Sequence, residues 1–192
     1  LTELALSLGL IGDDFDGQSY EPPAIDEAFL EERPIAQKPL RKDVSIRPLR
    51  DSGVVIDHMV PYKEDLLVRL LKVRERRDIY RAATVKSLAL PGEIKGMLMI
   101  EDREFTDEEL HDIAAVSPGC TVNFVKGAKV ERKLRMKLPG RIDGIAGMVC
   151  TNKGCISRPE HLESVNPLMM KAAGGKICCH YCDQLMDSVQ FL

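Results

Sequence analysis

The sequence contains no tryptophan and only five phenylalanines in 192 residues. Proteins that bind single-stranded nucleic acid usually stack its bases on aromatic side chains, so we expect no nucleic acid among the partners of this chain. No apolar run approaches the roughly 20 residues that a membrane-spanning helix needs, which argues against a membrane partner. A basic segment followed by an apolar one, the pattern of a secretion signal, is also missing, so a cytoplasmic location is expected.

Familiar catalytic motifs are missing as well. The sequence has no P-loop, no G-x-G-x-x-G dinucleotide fingerprint and no G-x-S-x-G nucleophile motif. No pair of carboxylates stands in an obvious acid–base setting. These absences predict a chain that is not an enzyme by itself.

Charge is unevenly distributed. The first 32 residues contain nine acidic residues and no lysine or arginine, whereas the remaining 160 contain all 27 basic residues and 21 acidic ones. A mildly basic body suits anionic ligands without requiring nucleic acid.

Residues 1–45 are predicted to form an acidic leader or linker. The segment is interrupted by four prolines, Pro22, Pro23, Pro34 and Pro39. The first ten residues place their leucines on one helical face, and one helical turn is expected near Ala28–Leu30. The chain opens on leucine rather than methionine, which fits a processed product or a piece of a longer polypeptide.

Residues 46–138 alternate between strand and helix patterns. An apolar strand begins at Val54, an amphipathic helix covers Lys63–Val73, and two strands follow. Thr106 and Glu109 have the spacing of a capping box, which predicts the start of a second helix. Two more strands complete the order β-α-β-β-α-β with an extra strand. The predicted fold class is therefore α+β, with a ferredoxin-like (split βαβ) first domain.

Residues 139–192 are predicted to form a small zinc-binding antiparallel β domain. Four residues lie between Cys150 and Cys155, two lie between Cys179 and Cys182, and 23 residues separate the two pairs. Two tight knuckles, each with two thiolates, suit tetrahedral Zn²⁺, and four thiolates leave no open position for water. We therefore expect one structural zinc ion per chain, because about 50 residues rarely bury enough apolar surface alone.

Other side chains could compete for this metal site. Cys178 could compete with Cys179, although neighbouring strand residues point to opposite faces, so only one of the two can face the metal. His161 and His180 could also bind metal, but four cysteines already complete the site. Cys120 is interpreted as a small buried apolar residue.

Several segments together resemble the regulatory chain of aspartate carbamoyltransferase. These are GVVIDH at 53–58, LPGE at 90–93, SPGCTVNFV at 117–125, RIDGIAGMVCTNKGCIS at 141–157 and CCHYCD at 178–183. The resemblance, which covers about residues 44–192, implies a non-catalytic regulatory chain of an enzyme of pyrimidine biosynthesis. Its first domain would bind nucleoside triphosphates, CTP and ATP, as allosteric effectors and pair with a second regulatory chain. Its second domain would bind structural zinc and dock on the catalytic chain.

The same resemblance implies roles for individual residues. It implies a nucleotide site in which Asp57 and His58 lie near the ribose and phosphates, and Lys95 matches the family's lysine in the loop after L-P-x-G-E. Asn123, Val125 and Val130 would line the base and sugar, and Lys133 would hold the phosphates. Zinc would bind to the four cysteines named above. Ala128 departs from the family pattern, since a large aromatic residue can occur there. The leader resembles the last helix of a catalytic chain, which implies the C-terminal part of a catalytic–regulatory fusion.

Two other functions would each require a feature that the sequence lacks. A zinc-ribbon protein that binds nucleic acid would need a basic, aromatic-rich face, and the chain after Arg141 has few aromatic residues. A chain with carbamoyl-transfer activity would need a phosphate-gripping Ser-Thr-Arg-Thr loop, which is missing.

Overall fold

The computed structural model describes residues 29–36, 49, 51–87, 92–162 and 165–191. The N-terminal part contains β1 (Leu30–Glu32), β2 (Gly53–Met59), α1 (Glu64–Leu70), β3 (Tyr80–Lys86), β4 (Ile94–Glu101), α2 (Asp107–Val116), β5 (Thr121–Lys126) and β6 (Lys129–Met136). The C-terminal part contains β7 (Arg141–Ile142), β8 (Met148–Val149), β9 (Met169–Lys171), β10 (Ile177–Cys179), β11 (Leu185–Met186) and β12 (Gln190–Phe191). Within the described ranges, neither helix has the length and apolar character needed to cross a membrane.

The first six strands form one antiparallel sheet in the order β1-β6-β5-β2-β4-β3. Side chains alternate between its two faces. Val54 and Ile56 are fully buried against residues of both helices, including Leu67 and Ile113. Both helices therefore cover one face, and the other face is left open by the elements that the structure describes.

Helix α2 begins as the sequence predicts. The Glu109 backbone N–H donates to the Thr106 hydroxyl at 3.2 Å, and the Thr106 N–H donates to the Glu109 carboxylate at 3.1 Å. This reciprocal pair satisfies two backbone donors that a helix start leaves open, which confirms the capping box.

Helix α1 is shorter than the predicted Lys63–Val73. It ends at Leu70, and Lys72 has a φ of 51°, a left-handed conformation that a right-handed helix cannot continue. Leu71 and Val73 remain buried because the chain turns back over the same core. Their burial explains why helical periodicity extends past the helix end.

The leader contains a strand. Leu30–Glu32 pairs antiparallel with β6, and the adjacent Phe29 is only 5% exposed. Leu30 begins β1, so the expected helical turn near Ala28–Leu30 does not extend to Leu30. The helix pattern of the first ten residues lies outside the described residues.

A buried arginine connects the two helices. The Arg103 guanidinium, 4% exposed, pairs with Asp78 and Glu109 and donates to the Leu71 carbonyl at 3.2 Å. It thereby links the end of α1 to the capping box of α2, and it lies over the Phe105 ring at 5.8 Å. Two carboxylates at partly buried positions depend on this single cation.

Arg103→Met should lower the free energy of unfolding by about 3–5 kcal/mol, because it leaves both carboxylates without their cation. Arg74→Met is the matched control, since the Arg74 side chain is 68% exposed and 3.8 Å from its carboxylate partner Asp65. We expect the control to change stability by about 0–1 kcal/mol. Urea unfolding of the metal-loaded protein measures both, and equal values for the two variants would contradict this role of Arg103.

The C-terminal part packs against the first domain through α2. Its strands form a four-stranded sheet, β11-β10-β9-β7, and a two-stranded sheet, β12-β8. Ala115 of α2 belongs to the same buried cluster as Ile142 and Met169. The His111 ring Nε2 donates to the Arg141 carbonyl at 2.9 Å, so α2 contacts the first strand of this domain directly.

Candidate metal centre and ligand-binding face

Four cysteine sulfurs converge in the C-terminal domain. Their Sγ atoms all lie within 4.8 Å of one another, with Cys150 and Cys182 at 3.6 Å and Cys155 and Cys179 at 3.7 Å. A tetrahedral metal with 2.3 Å metal–sulfur bonds requires sulfur–sulfur distances of roughly 3.8 Å. The cluster therefore has the dimensions of a closed four-thiolate metal site.

Tight turns present these sulfurs. In the first knuckle the Gly154 N–H donates to the Asn152 side chain at 2.9 Å, and the Cys155 N–H donates to the Asn152 carbonyl at 3.1 Å. In the second, the Asp183 N–H donates to the Cys179 carbonyl at 3.0 Å. These short-range bonds direct both thiols of each pair to one point.

Two further residues form hydrogen bonds with the cysteines of the cluster. The buried Ser157 hydroxyl lies 3.2 Å from the Cys155 sulfur, and Arg158 donates to the Cys150 carbonyl at 2.5 Å. Burial opposes ionisation of Cys155, but the hydrogen bonds from Ser157 lower its pKa to about 7. Burial instead raises the pKa of Cys150. Metal binding at neutral pH would therefore displace protons from the site. Sequence reasoning missed both supporting residues.

The competing ligands Cys178, His161 and His180 lie outside the cluster of four sulfurs. The Cys178 sulfur contacts the Cys179 carbonyl at 3.7 Å, and His161 donates to the Lys153 carbonyl at 2.7 Å. The His180 ring lies edge-on to that of Tyr181 at 5.2 Å. Cys120 is fully buried in the first domain, and burial raises its pKa to about 12.

A second group of polar side chains surrounds Asp57 at the end of β2. Lys95 Nζ lies 2.6 Å from one carboxylate oxygen, and His58 Nδ1 lies 3.1 Å from the other. The His58 backbone N–H also donates to this carboxylate at 2.8 Å. Asp57 thus orients two groups that can carry positive charge, and His58 remains 54% exposed at its side chain.

The remaining predicted residues lie on the neighbouring strands. Asn123 is paired with Val55 on one side and Lys133 on the other, and its amide donates to the Val55 carbonyl at 3.2 Å. Val125 is paired with Val130 beyond a β-bulge. Directly paired residues share a face, and Val55 lies opposite the buried Val54 and Ile56. All seven predicted residues therefore lie on or beside the open face.

Sequence reasoning missed the continuation of this face. Met99 is paired with Val55, and Arg81 is paired with Met99, so one row crosses five strands from Arg81 to Lys133. Arg81 is 2.5 Å from Glu101. Alternation within β3 predicts that the Arg81 side chain points to one face of the sheet. Only the strand order shows that this is the face that carries Asn123 and Lys133.

This architecture defines a class of protein with two domains, an antiparallel sheet with one polar open face and a four-cysteine metal-binding domain. Family models match both parts. Residues 44–137 match the allosteric domain of the aspartate carbamoyltransferase regulatory chain, and residues 140–191 match its metal-binding domain. The chain belongs to the family of aspartate carbamoyltransferase regulatory chains.

Individual relatives agree with this assignment. The aspartate carbamoyltransferase regulatory chain of Methanococcus maripaludis (strain C5) is 34% identical over 150 residues, which cover 78% of this chain and 97% of the relative. Protein PyrBI of Thermotoga maritima is 32% identical, covering 72% of this chain and 27% of the relative. Protein PyrBI of Treponema denticola is 28% identical, covering 93% and 36% respectively. This chain therefore spans about a third of the PyrBI proteins.

Cys155→Ser or Cys179→Ser should abolish metal retention and unfold residues 139–192, because metal ligation contributes on the order of 10 kcal/mol to such a domain. Cys178→Ser is the matched control, since its sulfur lies outside the cluster. Metal content by mass spectrometry and amide exchange of the C-terminal domain measure the effect. A Cys178→Ser protein without metal, beside a fully loaded Cys179→Ser protein, would contradict the assigned ligands.

Proposed function

We propose that this regulatory chain binds nucleoside triphosphates, CTP and ATP, on the open face of its sheet and transmits their binding to a catalytic chain through a zinc domain. The observation that carries the proposal is the placement of Lys95, Lys133 and His58 on or beside one face. A triphosphate needs several clustered donors, and charge-assisted hydrogen bonds are the strong ones. The chain would work in the cytoplasm, with neither nucleic acid nor membrane as a partner.

The face offers different chemistry along its length. Lys95 and His58 stand at one end of β2, where the Asp57 carboxylate orients them towards phosphates or ribose. Val125 and Val130 supply apolar surface for a base or sugar, and the Asn123 amide lies between these two regions. This division suits a ligand with one anionic and one flat, apolar end.

The fold and boundaries proposed for the first domain are consistent with this site. The strand order β5-β2-β4-β3, with both helices on one face, supports the ferredoxin-like split βαβ fold that we propose for this domain. We assign residues 46–138 to the effector domain and 139–192 to the zinc domain. The family matches at 44–137 and 140–191 support this division.

Zinc is the metal proposed for the cysteine cluster. Four thiolates in a closed tetrahedral arrangement suit Zn²⁺, which has no redox chemistry and no geometric demand of its own. When bound, the ion would join two knuckles that are far apart in sequence. Cys150, Cys155, Cys179 and Cys182 would hold it, with one ion in each chain.

Exposed apolar side chains support two docking partners. The zinc domain exposes Ile156 and Leu185 by about half, and its metal-fixed loops would lose little entropy on docking to a catalytic chain. On the first domain, β3 ends the strand order, so its outer edge pairs with no described strand. Exposed Ile79 lies just before this edge, which suits pairing with a second regulatory chain.

Lys133→Ala should weaken CTP binding by about 1.5–3 kcal/mol, the range for a hydrogen bond to a charged group. Lys129→Ala is the matched control, because Lys129 lies on the same strand and is exposed at its far end. Calorimetry on the metal-loaded protein measures both affinities, for CTP and for ATP. Equal affinities of wild type, Lys133→Ala and a Lys133→Ala, His58→Ala double variant would rule out this site.

Removing zinc with a mercurial should separate regulatory from catalytic chains, because the docking loops lose their shape. The catalytic oligomers should stay active and lose their response to CTP and ATP. If the leader is fused to a catalytic chain, the particle should loosen rather than separate, with the same loss of response. Size-exclusion chromatography and activity assays measure this. An unchanged particle and response after proven metal loss would contradict the proposal.

A further inference from the structure

Strand β1 and the residue on either side of it form a segment, Phe29–Arg33, that we call the strap. It lies upstream of residue 44, where the match to the family's allosteric domain begins. It therefore lies outside the matched segment, and it runs along β6, the strand that contains Lys133. We infer that the strap is a positioning element, which holds Lys133 and the connection between the two domains in place. This inference rests on the proposed function where it concerns nucleotide affinity.

Backbone hydrogen bonds run along the whole second half of β6. At one end the Arg33 N–H donates to the carbonyl of Lys133 itself, at 2.9 Å. At the other end the Lys137 N–H donates to the Phe29 carbonyl at 2.8 Å. Between them, Leu30 is paired with Met136. The strap thus spans β6 from Lys133 to the connection that leads into the zinc domain.

Without the strap, β6 would be an edge strand on this side. An edge strand has unpaired backbone groups and opens more readily than an internal strand. A phosphate-binding lysine on a mobile edge must be ordered when the ligand binds, which weakens affinity. The strap makes β6 an internal strand, so Lys133 is ordered before the nucleotide arrives.

Charged side chains fix the register of the strap. Glu32 lies 2.7 Å from Arg132, and Glu31 lies 3.2 Å from Lys137 and 3.1 Å from Arg33. These pairs are largely exposed, so each adds little stability. A slip by one residue would break the Glu32–Arg132 and Glu31–Lys137 pairs and turn Leu30 away from the core, which favours the observed register.

The buried end of the strap reaches the domain junction. The Phe29 ring, 5% exposed, meets the His111 ring edge-on at 5.7 Å. The same His111 side chain donates to the carbonyl of Arg141 in β7. The strap is therefore in contact with both the strand of the effector site and the residue that holds the first strand of the zinc domain.

Arg33→Pro tests this inference, because it removes the one N–H that donates to the Lys133 carbonyl. Proline also favours extended backbone in the residue before it, which Glu32 already has. Arg33→Ala is the matched control: it removes the same side chain and keeps the N–H. In Arg33→Pro we expect faster amide exchange in the second half of β6 and a CTP Kd raised about 2- to 10-fold, as for the loss of one hydrogen bond. Arg33→Ala should resemble wild type in both.

A second variant approaches the strap from its buried end. Phe29→Ala should raise amide exchange in β6 and at Arg141–Ile142, and it should also raise the Kd for CTP. All variants are measured as metal-loaded full chains in their native assembly. Unchanged exchange in Arg33→Pro and Phe29→Ala would overturn the inference. Faster exchange with an unchanged CTP Kd would overturn it as well, because the strap would then only cover an edge.

Failure of the proposed function has a different signature. If the wild-type chain binds neither CTP nor ATP, the nucleotide site is wrong whatever the strap does. The role of the strap in holding β6 and the domain junction is then decided by amide exchange alone, which needs no nucleotide. Protection of β6 lost in Arg33→Pro and kept in Arg33→Ala would support that role.

Discussion

The four sulfur atoms of the C-terminal domain impose the constraint on which its structure depends. Thiolates packed within 4.8 Å of one another repel unless a cation lies between them. A bound metal would add its stabilisation to that of the small apolar cluster around the cysteines. It would also hold the loops around Cys155 and Cys182 in place, and with them the surface that a partner would meet.

Coupling between the two domains requires a physical path. Helix α2 would provide one, since Ala115 packs into the core of the metal domain and His111 donates to the Arg141 carbonyl. Lys133 lies in β6, four residues before Lys137, and Lys137 directly follows the end of β6. An effector can control a partner only if it binds two states of the assembly unequally. A ligand that favours one arrangement of β6 and α2 would bias the orientation of the metal domain.

Local patterns were the part that sequence alone could predict. The capping box at Thr106 and the cysteine pairs depend on residues a few positions apart, and the structure brings these groups together as their spacing implies. The end of α1 was less predictable, because Leu71 and Val73 stay buried after the chain turns. Strand β1 had no local signal at all, because it pairs with a strand far along the chain: the Glu32 side chain contacts Arg132, which is 100 residues away. Alternation placed Asp57 and Asn123 on strand faces, but their common face depends on strand order.

The central claim is that a nucleotide on the open face changes the metal domain through this junction. The most direct test is amide exchange of the metal-loaded native assembly with and without saturating CTP. The account predicts slower exchange in β2, β5 and β6 on binding, together with a change at Arg141–Ile142. A nucleotide that protects the face while exchange throughout residues 139–192 stays the same would contradict the claim.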